Sequence, residues 1–175
     1  MKIFTVYPSP LGPLVLTASE SGLTGLTIAS SLPVRPARAA DHPVFLPIQN
    51  WLDAYFRGEC PSLEGLPLCP IGTEFQMAVW DILRQIPWGK TLTYGEIARQ
   101  IARDRGMAKM SPQAVGQAVG ANPLAILIPC HRCIGAGGRL TGYAWGLDKK
   151  IWLLRHEHIL KEESSCSPTN TSVLP

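Results

Sequence analysis

Residues 111–134 read SPQAVGQAVGANPLAILIPCHRCI, and the elements this stretch demands set the architecture on both sides of it. Ser111 is a helix N-cap residue, and Pro112 suits the first helical position, where its missing N–H has no intrahelical partner in any case. Asn122-Pro123 stops the helix, so the pattern predicts a short one between them. Ala114, Val115, Ala118 and Val119 share one side of it, leaving Gln113, Gly116, Gln117 and Gly120 outward, a face with almost no bulk. Each glycine within a helix costs roughly 1 kcal/mol relative to alanine, so two of them need a reason. Tight packing inside the protein is one reason; close approach of a nucleic-acid groove is another. The apolar run Ala125 to Ile128 then reads as a buried strand leading into Pro129-Cys130-His131-Arg132.

Upstream, two capping boxes mark helix starts, Thr73 with Gln76 and Thr93 with Glu96. The first opens a helix with Phe75, Val79, Ile82, Leu83 and Ile86 on one face, stopped by Pro87 and Gly89. The second opens a helix with the stripe Ile97, Ala98, Ile101, Ala102, ending in a charged loop from Arg103 to Lys109. With the helix after Ser111 it forms a helix-turn-helix whose loop exceeds the usual length of about 3–4 residues.

Further out, KIFTVY, LVLTA and LTGLTIA are short β-rich runs separated by turn signals, a small antiparallel sheet. A Pro/Ala/Arg-rich connection around 31–43 precedes Ile48, Trp51, Leu52, Tyr55 and Phe56, one face of an amphipathic helix. Residues 58–72, rich in proline and glycine, read as a linker. The fold class is therefore α+β: an N-terminal domain over 1–72 with sheet, helix and linker, then a mostly helical domain over 73–162. That second domain closes on a glycine-rich loop and a final helix from Leu147 to Leu160, and 163–175 reads as a disordered tail.

The composition is that of a soluble globular protein. No apolar run is long enough to span a membrane, and the start lacks a secretory signal, which places the chain in the cytoplasm. Five cysteines at irregular spacing argue against a disulfide framework and leave free thiols. Residues 1–72 carry a net charge of −1 and residues 73–175 a net charge of +4, so a polyanion belongs on the C-terminal part.

A nucleophilic cysteine needs a base or a positive environment, because a free thiol with a pKa near 8.5 is only a few per cent ionised at neutral pH. Cys130 has His131 and Arg132 beside it. In an extended strand neighbouring side chains oppose each other, so Cys130 and His131 work together only through a bend or a bridging water. In the last helix Leu147, Ile151 and Leu154 line one face with Glu157 at its edge, and a carboxylate there wants a partner such as histidine. The result is a possible Cys130, His131, Glu157 relay. A buried inert cysteine remains open at this level. So does a dithiol or half of a zinc site from Cys130 and Cys133, although a glycine loop follows where a redox motif wants a helix.

The segment IPCHRCIGAGGRLTGYAWGLDKKIWLLRHE, with QAVGQAVGANP and FQMAVWDILRQIPWGKTLTYGEIA before it, resembles the O6-alkylguanine-DNA alkyltransferase family over residues 73–160. The resemblance implies repair of double-stranded DNA by irreversible, single-turnover transfer of an alkyl group from O6-alkylguanine to Cys130. It makes His131 the base acting through a water, Glu157 its support, Asn122 a holder of the hydrogen-bond network, and Tyr94 the residue that helps rotate the nucleotide and assists guanine as leaving group. Tyr143 lines the base pocket, and backbone around Ala144, Trp145 and Gly146 would hydrogen-bond guanine flipped from its stack. The small-sided helix carrying Gln113, Ala114, Gly116 and Gln117 enters the minor groove, with Arg132 counted among the DNA-contacting residues. No cofactor or metal is implied, and the protein acts as a monomer. The family usually has arginine where Gln113 stands, and some members have glycine where Trp145 stands, which disfavours large O6 substituents here. Relatives without the acceptor cysteine recognise damage without repairing it, so a non-catalytic damage-binding protein is the alternative.

Overall fold

The computed structural model describes residues 2–29 and 42–161; the 31–43 connection up to residue 41 and the tail from 162 lie outside the described residues. Ile3–Tyr7 (β1) and Leu14–Ser19 (β2), whose burial alternates along the strand, and Gly22–Ile28 (β3) build an antiparallel sheet in the order β1-β2-β3. Thr5 faces Leu16 and Leu16 faces Leu26, so one face of the sheet carries the apolar side chains. Helix α1 (Phe45–Phe56) buries Phe45, Ile48, Trp51, Leu52 and Tyr55, as its periodicity demands. The Tyr7 hydroxyl donates to Asp53 Oδ1 over 2.7 Å, which ties the sheet to that helix.

Both predicted capping boxes form. Thr73 caps α2 (Glu74–Arg84) and Thr93 caps α3 (Tyr94–Asp104), each with its reciprocal Gln76 or Glu96 bond. Ser111 caps α4 (Pro112–Gly120), with Pro112 at the first helical position. Helix α4 packs on α2 and α3, and the Trp80 indole donates to the Ala118 carbonyl over 2.8 Å at the junction. Two short strands, β4 (Leu92–Thr93) and β5 (Cys133–Ile134), pair in parallel and fix the start of α3 beside the cysteine loop. Helix α5 (Leu147–His156) is the last helix among the described residues. Among the described residues no helix is long and apolar enough to cross a membrane.

Two expectations fail here. Residues 125–128 are not a strand but a tight buried turn, with Ile126 at φ 72° and the Ile128 amide donating to the Leu124 carbonyl over 2.8 Å. An unbroken apolar run reports burial, not backbone geometry, and this turn is buried throughout. A β-branched residue at positive φ is strained, and Leu26 N, which donates to the Pro123 carbonyl over 2.8 Å, helps hold the chain just before the turn from the sheet side. The last helix ends at His156, short of Leu160, and its buried face is Lys150, Leu153 and Leu154; Leu147 is 42% exposed. The helix is turned so that Lys150, which a polarity pattern assigns to solvent, reaches two backbone carbonyls.

Candidate active site

The buried turn delivers the reactive segment. The Asn122 side chain spans it, donating through Nδ2 to the Ile128 carbonyl at 2.8 Å and accepting through Oδ1 from the Leu124 amide at 3.0 Å. The chain then bends after Pro129 into a single 3-10 turn over Cys130–Arg132, so the bend required of the sequence is present. The Cys130 amide donates to the Ile128 carbonyl at 2.7 Å, and the pairing of Cys133 with Leu92 anchors the far side.

His131 and Glu157 are both completely buried. Glu157 Oε1 accepts from His131 Nε2 at 2.7 Å, from the Tyr55 hydroxyl at 2.8 Å and from Arg132 Nη2 at 3.0 Å, while Oε2 accepts from Arg132 Nε at 2.7 Å. Burial alone would raise this carboxyl, but the hydrogen bonds and charges of His131 and Arg132 overcome it and hold Glu157 well below the usual carboxylate range. An ionised carboxylate only accepts, so the imidazole proton sits on Nε2 and Nδ1 is left as an unprotonated nitrogen with no protein partner. Burial lowers the His131 pKa below its ordinary value, which keeps the ring neutral and basic at physiological pH.

The Cys130 thiol lies at the floor of a cavity of about 420 Å³, walled by Tyr94, Asn122, Tyr143 and Trp145. Burial pushes the thiol pKa up, against the pull of the Asn122 and Tyr143 side chains and the Lys150 charge. The resting group is therefore a protonated thiol that needs a base to become a nucleophile. The Tyr143 hydroxyl interacts with Cys130 without making a hydrogen bond of standard geometry. Tyr143 and Trp145 meet edge to face with ring centroids 5.9 Å apart. Tyr94 stands at the cavity mouth with its hydroxyl 3.5 Å from Thr141 Oγ1, and burial raises its pKa, so it remains a proton donor.

Gln113, Gly116 and Gln117 of α4 lie with Tyr94 along a shallow groove that joins the thiol cavity at Tyr94 and Gly116. Internal packing does not explain the α4 glycines. A Cβ at Gly120 would meet nothing within 4 Å, and one at Gly116 would meet only the Tyr94 ring at 3.7 Å, an ordinary contact.

Three of the expected contact residues are placed as follows. Arg132 does not face the α4 groove: it chelates Glu157 and donates to the Ile86 carbonyl, so its positive charge sits behind the histidine. The Ala114 side chain is half-buried and its amide is used by the Ser111 cap. The Gly146 amide donates to the Tyr143 carbonyl at 3.0 Å, while Ala144 and Trp145 line the cavity.

Cys133 is fully buried and its pKa is pushed up to about 12 by that burial, which ill suits the second thiol of a redox pair. Among the described residues no group of three or more His, Cys, Asp or Glu side chains is placed to hold a metal ion.

Two residues escaped the sequence reading. Tyr55 comes from α1, 102 positions before the carboxylate it binds, a distance no local pattern bridges. Lys150 Nζ donates to the Cys133 carbonyl at 2.6 Å and to the Thr141 carbonyl at 3.1 Å, which fixes the two segments flanking the cavity. A lysine inside an otherwise amphipathic helix was the only signal for it.

Residues 74–159 match the family described as 6-O-methylguanine DNA methyltransferase, DNA binding domain, and residues 2–70 match its ribonuclease-like domain. The chain is 42% identical over 166 residues to a methylated-DNA–protein-cysteine methyltransferase of Methanosarcina acetivorans, covering 93% of this chain and 99% of that one. It is 44% identical over 152 residues to the protein of the same name from Mycobacterium leprae, covering 85% and 88%. A crystal structure of Mycobacterium tuberculosis OGT in complex with DNA superposes with a TM-score of 0.74 at 41% identity, covering 88% of this chain and 91% of that one.

Proposed function

From its membership of the 6-O-methylguanine DNA methyltransferase family, to which the chain belongs, and from the geometry of its site, we propose that this protein repairs double-stranded DNA by moving the alkyl group of O6-alkylguanine onto Cys130. The observation that carries this reading is a buried Cys130 thiol at the floor of a base-sized cavity, followed in the same turn by a neutral His131 that Glu157 orients. A flipped guanine enters between Tyr143, Trp145 and the backbone of Ala144. His131 Nδ1 takes the thiol proton through a water, and the sulfur attacks the alkyl carbon in line with the C–O6 bond. That bond breaks as the S–C bond forms, its electron pair leaving on guanine, which Tyr94 stabilises by donating a hydrogen bond to O6. The thioether has no easy route back, so each molecule acts once, and no cofactor is needed because the substrate carries the group.

Helices α3 and α4 act as a helix-turn-helix, with α4 laid into the minor groove. Gln113 stands where the family usually carries arginine and faces the orphaned partner base, while the bare glycine face allows the sugar-phosphate walls to close in. In this reading residues 1–72 form a first domain and 73–162 the transferase domain, and the protein works as a cytoplasmic monomer.

The test is to mix the protein with duplex DNA holding one O6-methylguanine and map any mass gain by intact and peptide mass spectrometry. One methylene's mass on Cys130, at one equivalent and absent in Cys130→Ala, is the expected result. Tight lesion binding with no gain would make the protein a damage binder instead; neither outcome would return attention to thiol chemistry.

A further inference from the structure

Three exposed cations, Arg99, Arg103 and Lys109, line a groove of about 370 Å³ between α3 and the long loop leading into α4. Between the cations the groove is lined by small residues of α3, Gly95, Ala98 and Ala102, and by Met107, Ala108 and Met110 of the loop, with no acidic side chain among them. The groove is not isolated. It shares Gly95 and Pro112 with the shallow groove along α4, which in turn shares Tyr94 and Gly116 with the thiol cavity. One continuous track therefore runs from Cys130 past α4 to the three cations.

The neighbouring charges sort cleanly. Arg105 turns away, pairing with Glu74 at 3.1 Å and lying 5.8 Å over the Phe75 ring, so it belongs to the α2 side. Glu96 is committed to the Thr93 cap at 2.7 Å, and of the three cations only Arg99 is near enough to lower its pKa. Asp104 is the remaining acidic neighbour, exposed at the end of α3. Among the described residues Arg99, Arg103 and Lys109 form no ion pair. Arg99 and Arg103, one α-helical repeat of four apart, sit about 6 Å from each other along α3. That suits a strand whose phosphates advance about 3.4 Å each along the duplex axis.

We propose that Arg99, Arg103 and Lys109 form a phosphate clamp that grips the duplex backbone beyond the lesion, at the far end of the α4 groove. The proposal rests on the DNA-repair reading. The clamp is sequence-independent, and it offers positive charge outside the minor-groove face, where Gln113 brings none.

The test uses the full-length chain and a labelled, undamaged duplex titrated across a salt series. Replacing each cation singly, by Arg99→Gln, Arg103→Gln or Lys109→Gln, should lower the slope of log affinity against log salt by about 0.9, and the triple variant by about 2 to 3. Arg99→Lys with Arg103→Lys should keep the wild-type slope. Methyl transfer from the free nucleoside O6-methyl-2′-deoxyguanosine should be unchanged in every variant, which shows that fold and thiol are intact. A triple variant with the wild-type slope overturns the clamp while leaving the repair reading standing. A wild-type protein that neither binds duplex nor accepts a methyl group from it overturns both.

Discussion

His131 Nε2 donates to Glu157 Oε1 over 2.7 Å with both side chains wholly out of solvent, and this one bond decides which imidazole nitrogen can act as a base. It also couples catalysis to stability, because the same carboxylate neutralises Arg132. Glu157→Gln should leave a nearly buried guanidinium uncompensated, a loss of about 3–5 kcal/mol. It should also slow single-turnover methyl transfer by roughly 10²-fold or more, the range that a positioned base supplies. Chemical denaturation and quenched-flow transfer check the two halves; an unaltered rate in the folded variant would remove the Glu157 carboxylate's charge from the mechanism.

Tyr55 extends this coupling to the first half of the chain, since its hydroxyl donates to Glu157 Oε1 at 2.8 Å from within a cluster that includes Trp51, stacked at 5.3 Å. Tyr55→Phe keeps the ring packing and deletes one hydrogen bond to a charged group, worth about 1.5–3 kcal/mol. With one donor fewer on Glu157, its carboxylate stabilises the imidazolium more strongly and the His131 pKa rises, so the acid limb of the transfer rate should move to higher pH. A melting-temperature loss with an unmoved pH profile would make Tyr55 merely structural.

Acid should unfold the protein through the same network. His131 has a folded pKa below its unfolded value near 6.5, so its contribution is complete above that pH and declines as pH falls. Glu157 is likewise depressed, so its contribution is present above its unfolded value near 4.5 and is lost as pH drops towards its folded value of about 2. Denaturant midpoints should therefore begin to fall below about pH 6.5 and fall more steeply below about pH 4.5. In Glu157→Gln the steeper phase should weaken, leaving the smaller contributions of exposed carboxylates such as Glu59, Glu96 and Asp148, whose pKa values are also lowered.

Much of this arrangement is legible in the amino-acid sequence, and the limits have physical causes. Thr73, Thr93 and Ser111 mark helix starts because capping is a contact within one turn, and all three caps form. Cys130, His131 and Glu157 could be grouped because a carboxylate at the edge of a buried helix face needs a partner. The turn at Ile126 was not legible, since a run of buried apolar residues looks the same whether extended or folded back. The partners of Arg132 were not legible for a related reason: a cation beside a nucleophile reads as a ligand for substrate, and only the three-dimensional fold shows it bonded to Glu157 and the Ile86 carbonyl. Tyr55 and Lys150 act across distances or against a polarity pattern, where local rules carry no information.

Gly116 separates the demands of the helix from those of the DNA. It lies inside α4, and a methyl group there would meet only the Tyr94 ring at an ordinary 3.7 Å. Gly116→Ala should therefore stabilise the protein, by up to about 1 kcal/mol. The same methyl group stands on the groove face, so affinity for duplex DNA should fall while transfer from the free nucleoside is retained. Stabilisation with undiminished duplex affinity would place the DNA elsewhere than on α4.

In the proposed reaction Trp145 is expected to limit the size of the alkyl group that Cys130 can accept. It is half-buried at the cavity wall and packs edge to face on Tyr143, so its indole narrows the space next to Cys130. An O6-methyl group adds little beyond the guanine, whereas a benzyl group must displace the indole or the Tyr143 ring, and an edge-to-face pair contributes about 0.5–1.5 kcal/mol beyond its burial. Trp145→Gly should therefore raise the rate with O6-benzylguanine by roughly tenfold relative to the rate with O6-methylguanine, since each 1.4 kcal/mol is about a factor of ten. Competition between the two free substrates for Cys130, read as the ratio of benzyl to methyl adducts, measures this directly. An unchanged ratio would mean that the benzyl group lies on the side of the cavity away from Trp145, towards Thr141 and Tyr94.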